Sequence, residues 1–196
     1  MSKLIWKGGT LLAPVPPALI TCGILEKPNV FTVAWTGILN SDPPKTYVSV
    51  RPSRFSYGLI KESGVFVINL PTAELVRSVD FCGVHSGRDK DKLKICGLTA
   101  ERASAVEAPL LSECPLSLEC RVSEVLPLGS HDMFLADIVA VDVDEKLVDA
   151  SGKLCLDRAG LLAYAHGSYY RLGQKLGTFG FSVRKKRTGK GRGGRT

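Results

Sequence analysis

The chain has 196 residues, 44% hydrophobic and 23% charged, with a net charge of +7. That balance suits one ordinary globular domain and excludes collagenous, low-complexity and small disulfide-stapled classes. No apolar run reaches the roughly 18 residues of a membrane span, and Leu11 to Ile24 is broken by Pro14, Pro16 and Pro17.

The excess charge is local. Arg184 to Arg187, Lys190, Arg192 and Arg195 carry seven positive charges, and without them basic and acidic residues number 19 each. Glycines interleave with those charges, so residues 181 to 196 are expected to stay disordered beside one domain over residues 1 to 180. A tail of this kind suits nonspecific anion or nucleic-acid contact, or a solubilising terminus. The absence of an aromatic among residues 184 to 196 to stack on a base favours the second, and nucleic acid is not expected as a partner. The N-terminus lacks a signal-peptide layout, which with the missing membrane span points to the cytoplasm. Six cysteines show neither Cys-x-x-Cys nor zinc-type Cys/His spacing, so free thiols and no metal are expected.

In chain order, Leu4 to Trp6 suggest a short lead strand ending at Gly8-Gly9. Pro14 to Pro17 form a turn into an Ala18 to Ile24 strand. Asn29 to Trp35 alternates as a half-buried strand, and Asp42-Pro43-Pro44 turns into a strand over Lys45 to Arg51. Phe55 to Glu62 has helical spacing, with Ser53 as its expected N-cap. Gly64 stops that helix before the continuous apolar strand Val65 to Leu70, which should be buried on both faces. Thr72 to Asp80 reads as a helix capped by Thr72, Phe81 to Lys92 as a polar loop, and Leu98 to Ala108 as an excursion. Leu116 to Val125, Met133 to Asp144 and Leu147-Val148 are strand patterns, with Leu161 to Tyr164 and Tyr169 to Leu176 closing the domain. Several short strands with few helices argue for a mainly β fold, a barrel and not a doubly wound sheet.

Two clusters of hydroxyls and cations follow strand ends and could meet on one anion. Ser49, Arg51, Ser53, Arg54 and Ser56 form the first; Ser86, Arg88, Lys90 and Lys92 follow Gly83 and Gly87. A helix start bearing backbone N–H groups, hydroxyls and a guanidinium suits phosphate. The same residues suit a surface helix with solvated arginines, and Asp89 to Lys92 suit a solvated charged face. There is no Gly-x-Ser-x-Gly, since Gly83-Val84-His85-Ser86-Gly87 has the wrong spacing, and no Walker or dinucleotide glycine fingerprint follows a strand.

Pro14 to Thr21, Asn29 to Trp35, Ser41 to Pro44, Val50 to Ser56, Ser63 to Pro71 and Asp80 to Gly83 resemble, in order, the flavin reductase and flavoredoxin family. The resemblance continues through Ala108-Pro109-Leu110, Leu118-Glu119-Cys120, Gly129 to Asp132 and Tyr169 to Gly173, spanning about residues 10 to 180. It implies an FMN-binding split barrel of Greek-key type, usually a homodimer. It also implies NAD(P)H-dependent reduction of flavin, or a flavoredoxin-type carrier whose tightly bound FMN is served by a redox protein.

By the same resemblance Arg51, Ser53, Arg54, Ser56 and Ser86 would hold the phosphate, with Lys90 or Lys92 reaching it. Asn29, Thr32, Ala34, Trp35, Thr36, Ser49 and Val50 would meet the flavin ring, followed by Asn69, Leu70, Cys82 and Gly83; each of these also suits barrel core. His131 matches a Gly-Asp-His element whose histidine lies near the nicotinamide, although Ser130 stands where the family has aspartate. It would orient, since hydride transfer needs geometry more than an acid or base; equally, it suits a turn at a strand start.

Overall fold

A computed structural model describes residues 1 to 184. Its first hairpin joins β1 (Ala18–Ile24) to β2 (Lys27–Val33), antiparallel, with Ala18 opposite Val33 and Ile24 opposite Lys27. Gly23 permits it: φ is +82°, and a Cβ there would lie 2.6 Å from the Lys27 carbonyl oxygen. Only Ala34 and Trp35 separate β2 from β3 (Thr36–Ser41), which turns back into β4 (Pro44–Val50). Helix α1 (Phe55–Ser63) ends at Gly64, φ +70°, and leads into β5 (Val65–Leu70), whose four central residues are buried as the sequence implied.

A 3-10 turn (Ala73–Leu75) opens α2 (Val76–Val84), and α3 (Lys92–Cys96) follows. The short strands β6 (Ala100–Glu101) and β7 (Leu110–Leu111) precede the long pair β8 (Leu116–Pro127) and β9 (Asp132–Val143). The hairpin β10 (Leu162–Ala165) and β11 (Ser168–Arg171) closes the order.

Seven strands form one antiparallel sheet in the order β2-β1-β5-β8-β9-β4-β3. The edge strands, β2 and β3, are neighbours in sequence with a two-residue link, so the sheet has to curl until its edges approach. Bulges at Glu119/Cys120 and Val122/Glu124 bend the β8–β9 pair toward that closure. The split barrel that results is filled by Ile20, Phe31, Val48, Phe66 and Phe134, with Ile60 of α1 packed in the same cluster. A second cluster, including Leu19, Val30, Val79, Leu93 and Leu162, fixes α2 and α3 on the outer face of β1 and β2.

Several expectations need correction. No lead strand forms: Leu4, Ile5 and Trp6 are 89%, 99% and 76% exposed, with no neighbouring strand for their backbone to pair with. Ser53 does not cap α1; Arg54 stands at the N-cap with no side-chain bond, and its N–H donates to the Arg51 carbonyl at 2.9 Å, so a backbone turn replaces the cap. Thr72 likewise makes no capping bond. Phe81 to Val84 belong to α2 and Lys92 opens α3, shortening the expected loop from both ends. Leu147 lies in a 3-10 turn, Glu145–Leu147, and not in a strand; Val148 keeps only an isolated bridge to Leu154. The last strand stops at Arg171. Of the expected tail, Phe181–Val183 forms an exposed 3-10 turn, and residues 185 to 196 lie outside the described residues.

Candidate functional site

The two cationic clusters face each other. Arg51, Ser53, Arg54 and Ser56, from the end of β4 and the start of α1, line a pocket of about 680 Å³ with Ser86, Arg88 and Lys92 from the α2–α3 connection. Glycine makes this approach possible: a Cβ on Gly87 would stand 2.0 Å from Asn29 Oδ1 and 3.1 Å from Phe55 Cδ1. Asn29 sits beneath the pocket and donates from Nδ2 to Ser56 Oγ at 2.7 Å. The Arg88 guanidinium lies 5.9 Å from the centre of the Phe55 ring.

Lys92 is 2% exposed, and its ammonium donates to the carbonyls of His85 at 3.2 Å and Cys82 at 3.5 Å. It thereby satisfies orphan carbonyls at the C-terminal end of α2 while fronting the pocket. Burial holds its pKa below the usual lysine value. Among the described residues the ion pairs are Lys45–Asp137, Arg171–Glu74 and Lys175–Asp157; none involves Arg51, Arg54, Arg88 or Lys92. Four cations thus share a pocket without a carboxylate bonded to any of them, although Asp89 stands on its wall.

A cleft of about 410 Å³ adjoins it. Phe31 to Trp35, at the end of β2 and in the link, form one wall; Ser49, Val50 and Arg51 form the next. The Trp35 carbonyl accepts from the Ser49 N–H at 2.9 Å, joining these walls. Asp80, Gly83 and Val84 of α2 supply a third side. Helix α2 is fixed on β2 here by the Thr32 hydroxyl, which donates to the Val79 carbonyl. Phe31, Arg51 and Arg54 line both cavities, so cationic pocket and cleft are one continuous space.

The β10–β11 hairpin reaches the same cleft with Tyr164, Gly167 and Tyr169. His166 and Gly167 take positive φ of 48° and 87°, the two-residue turn that matches strand twist. Tyr164 and Tyr169 rings lie 5.3 Å apart, and the Tyr169 hydroxyl donates to Asp80 Oδ1 at 3.4 Å. His131 completes the lining; its Nδ1 lies 2.9 Å from Ser130 Oγ. Desolvation, then the charges of Arg51 and Arg54, hold its pKa below the ordinary imidazole value, which favours a neutral ring.

Thus Thr32, Ala34, Trp35, Ser49, Val50, Arg51, Arg54, Gly83 and His131 come together at the cleft, and Ser53, Ser56, Ser86 and Lys92 at its cationic end. Other expected residues stand elsewhere. Thr36 is buried and donates to the Tyr47 carbonyl. Asn69 is wholly buried in its own network, donating to Leu19 O and Thr21 Oγ1 and accepting from Leu111 N and Ser117 Oγ. Leu70 packs against the barrel interior, and Cys82 faces the outer cluster. Lys90 is exposed on a neighbouring groove. Phe31, Asp80, Tyr164 and Tyr169 were not anticipated; the His166-Gly167 turn between aromatic residues was the signal that could have found the hairpin.

The seam of the antiparallel barrel thus opens into a cleft with a cationic end. The family model described as flavin reductase like domain matches residues 11 to 173, and the chain belongs to that family. Flavoredoxin of Desulfovibrio vulgaris (Miyazaki F) is similar at TM-score 0.86 and 30% identity, covering 93% of this chain and 100% of that one. The FMN-binding protein from Thermus thermophilus, solved with bound 1-cyclohex-2-enone, is similar at TM-score 0.75 and 28% identity, over 91% and 97%. The NADPH-flavin oxidoreductase of Streptomyces viridifaciens is 26% identical over 135 residues, 68% of this chain and 69% of its own length.

Proposed function

We propose that the chain binds FMN and acts as an NAD(P)H-dependent flavin reductase. The supporting observation is the continuity of the two cavities through Phe31, Arg51 and Arg54. A phosphate suits the cationic end, where four cations lack a bonded carboxylate among the described residues, and a planar ring suits the cleft between β2, β4 and α2. When bound, FMN supplies the hydride and electron chemistry.

The chain's own residues would grip and orient. Arg51 and Arg54 hold the phosphate through charge-assisted bonds, and Lys92 keeps the end of α2 in place beside it. Main-chain groups of residues 32 to 34 would lie along the ring edge, where β2 has no partner strand on its outer side. His131, kept neutral, steers a second planar substrate on the open face without taking a proton. The purified protein should show flavin bands that bleach on anaerobic addition of NADH or NADPH; a colourless protein that takes up no added FMN would remove this reading.

The similarity to flavoredoxin over nearly the whole of both chains favours a second reading, an electron carrier served by a protein donor. In that case the bands bleach with dithionite and not with a nicotinamide. We further propose a homodimer, supported by apolar side chains left in solvent near both termini, among them Leu4, Ile5, Trp6, Leu176 and Phe179. Light scattering on the eluting protein should give twice the chain mass, and a monomer carrying full FMN would contradict it. No helix of the described residues is long and apolar enough to cross a membrane.

A further inference from the structure

We propose that Cys82 and Cys96 are a dithiol–disulfide pair that fastens the anion-binding loop, with a small-molecule disulfide as oxidant. Their sulfurs lie 4.0 Å apart, and all six cysteines are free thiols. Among the described residues this is the thiol–thiol contact the fold makes. A disulfide holds its sulfurs about 2.05 Å apart, so the two must approach by roughly 2 Å.

The pair spans the segment that matters for the anion. Cys82 lies on α2 and Cys96 on α3, and between them run Ser86, Gly87, Arg88 and Lys92, all on the pocket wall. Lys92 and Cys96 stand four residues apart on α3, hence on one face. Both reach the same residue: the ammonium of Lys92 to the Cys82 carbonyl, and the Cys96 sulfur to the Cys82 sulfur. A covalent bond would therefore pin α3 to α2 where the buried ammonium already holds them. Gly83, next in the chain, lines the ring cleft.

The exchange begins at Cys96. It is partly exposed, whereas Cys82 is 1% exposed and burial, then its neighbour Cys96, push its thiol up to about 12. The Cys96 thiolate, its proton lost to solvent, attacks the disulfide RSSR; a Cys96–SR bond forms and RS⁻ leaves, taking up a proton. The Cys82 sulfur then attacks the Cys96 sulfur, the second RS⁻ leaves, and the Cys82 proton passes to it. Two protein thiols lose two electrons and two protons, and RSSR becomes two RSH.

The effect on flavin rests on the function proposed above; the bond does not. The full chain is treated in its native state with oxidised glutathione, and intact mass, peptide mapping and amide hydrogen exchange are read. The expected result is a mass lower by two hydrogens, a peptide joining Cys82 to Cys96, and slower exchange across residues 85 to 92. Cys96→Ser should lose all three. Glutathione retained on Cys96 without resolution, or a Cys82–Cys96 bond formed only in urea, would overturn the pair; unchanged amide exchange in the bonded protein would overturn the fastening. FMN should leave the oxidised protein about tenfold more slowly than the reduced one, and equal rates would count against a lock on the site. If the reduced protein takes up no FMN, the function reading fails, and mass and amide exchange alone decide the pair.

Discussion

Gly87 lies so close to Asn29 that a Cβ would fall 2.0 Å from the side-chain amide oxygen, Oδ1, of Asn29. The amide cannot swing aside freely, because its Nδ2 donates to Ser56 Oγ at 2.7 Å and lies 3.4 Å from Cys22 Sγ, and the residue is 6% exposed. Gly87→Ala should therefore displace the loop carrying Ser86 and Arg88, costing about 1–3 kcal/mol of stability as an overpacked site does. A urea titration together with FMN binding checks it. Unchanged stability and affinity would mean that the loop relaxes without disturbing the pocket.

Arg51 and Arg54 are exposed, so neither contributes to the core. Replacing either by alanine should lower FMN affinity by about tenfold to a hundredfold, the scale of one lost charge-assisted bond, with the melting temperature nearly unchanged. Fluorescence titration reads the first and calorimetry the second. Full affinity in both variants would move the phosphate elsewhere.

The same arginines act on His131, whose pKa burial lowers first and their charges lower further. Removing either should raise it toward the ordinary imidazole value, visible in a proton NMR titration of the ring. The sign for stability follows. With the folded pKa depressed, the unfolded chain takes up a proton first as pH falls. Stability from this group is therefore present above the ordinary imidazole value and declines as pH drops below it.

Glu119 is fully buried and anchors the excursion: Oε1 accepts from Ser104 N at 2.8 Å, and Oε2 from Ala105 N at 2.6 Å and Val106 N at 2.9 Å. Burial pushes its pKa up, but the bonds from Ser104, Ala105 and Val106 outweigh it and the net value is lowered. Glu119→Gln should cost about 1–3 kcal/mol, since one acceptor oxygen becomes a donor facing backbone N–H groups. Stability from the carboxylate is present above its unfolded pKa and lost as pH falls through the depressed folded one. Asp142, whose pKa is raised by burial and by Glu119, pulls the opposite way. Chemical denaturation between pH 3 and 6 separates wild type from variant, and equal acid profiles would refute the anchor.

Removing residues 184 to 196 should leave FMN content and melting temperature unchanged. Loss of cofactor in the truncated protein would make the tail part of the site.

Strands β1 and β5 could be read directly as short continuous apolar runs buried on both faces, and β8 and β9 as long β-branched patterns bounded by turn residues. Strand β3 could not: Ile38, Leu39, Asn40 and Ser41 all face solvent, so its existence depends on β4 and not on its own pattern. The cationic clusters were legible as residue types, and Gly87 hinted at a close approach, but whether the clusters converge is a property of the folded α2–α3 connection. Lys90 and Lys92 illustrate the limit. Two residues apart and identical in chemistry, one is exposed and the other buried against carbonyls, because only Lys92 falls on the inner face of α3. The family resemblance puts Asn69 at the flavin ring, yet its amide is occupied by four neighbours inside the wall.

The two-residue link Ala34-Trp35 places the cleft where the first and last strands of the sheet meet. Anything lodged there touches both margins at once, β2 on one side and the β3–β4 hairpin on the other, and so works as a clasp across the join. Resistance to proteolysis along this join is therefore expected to rise with occupancy of the cleft.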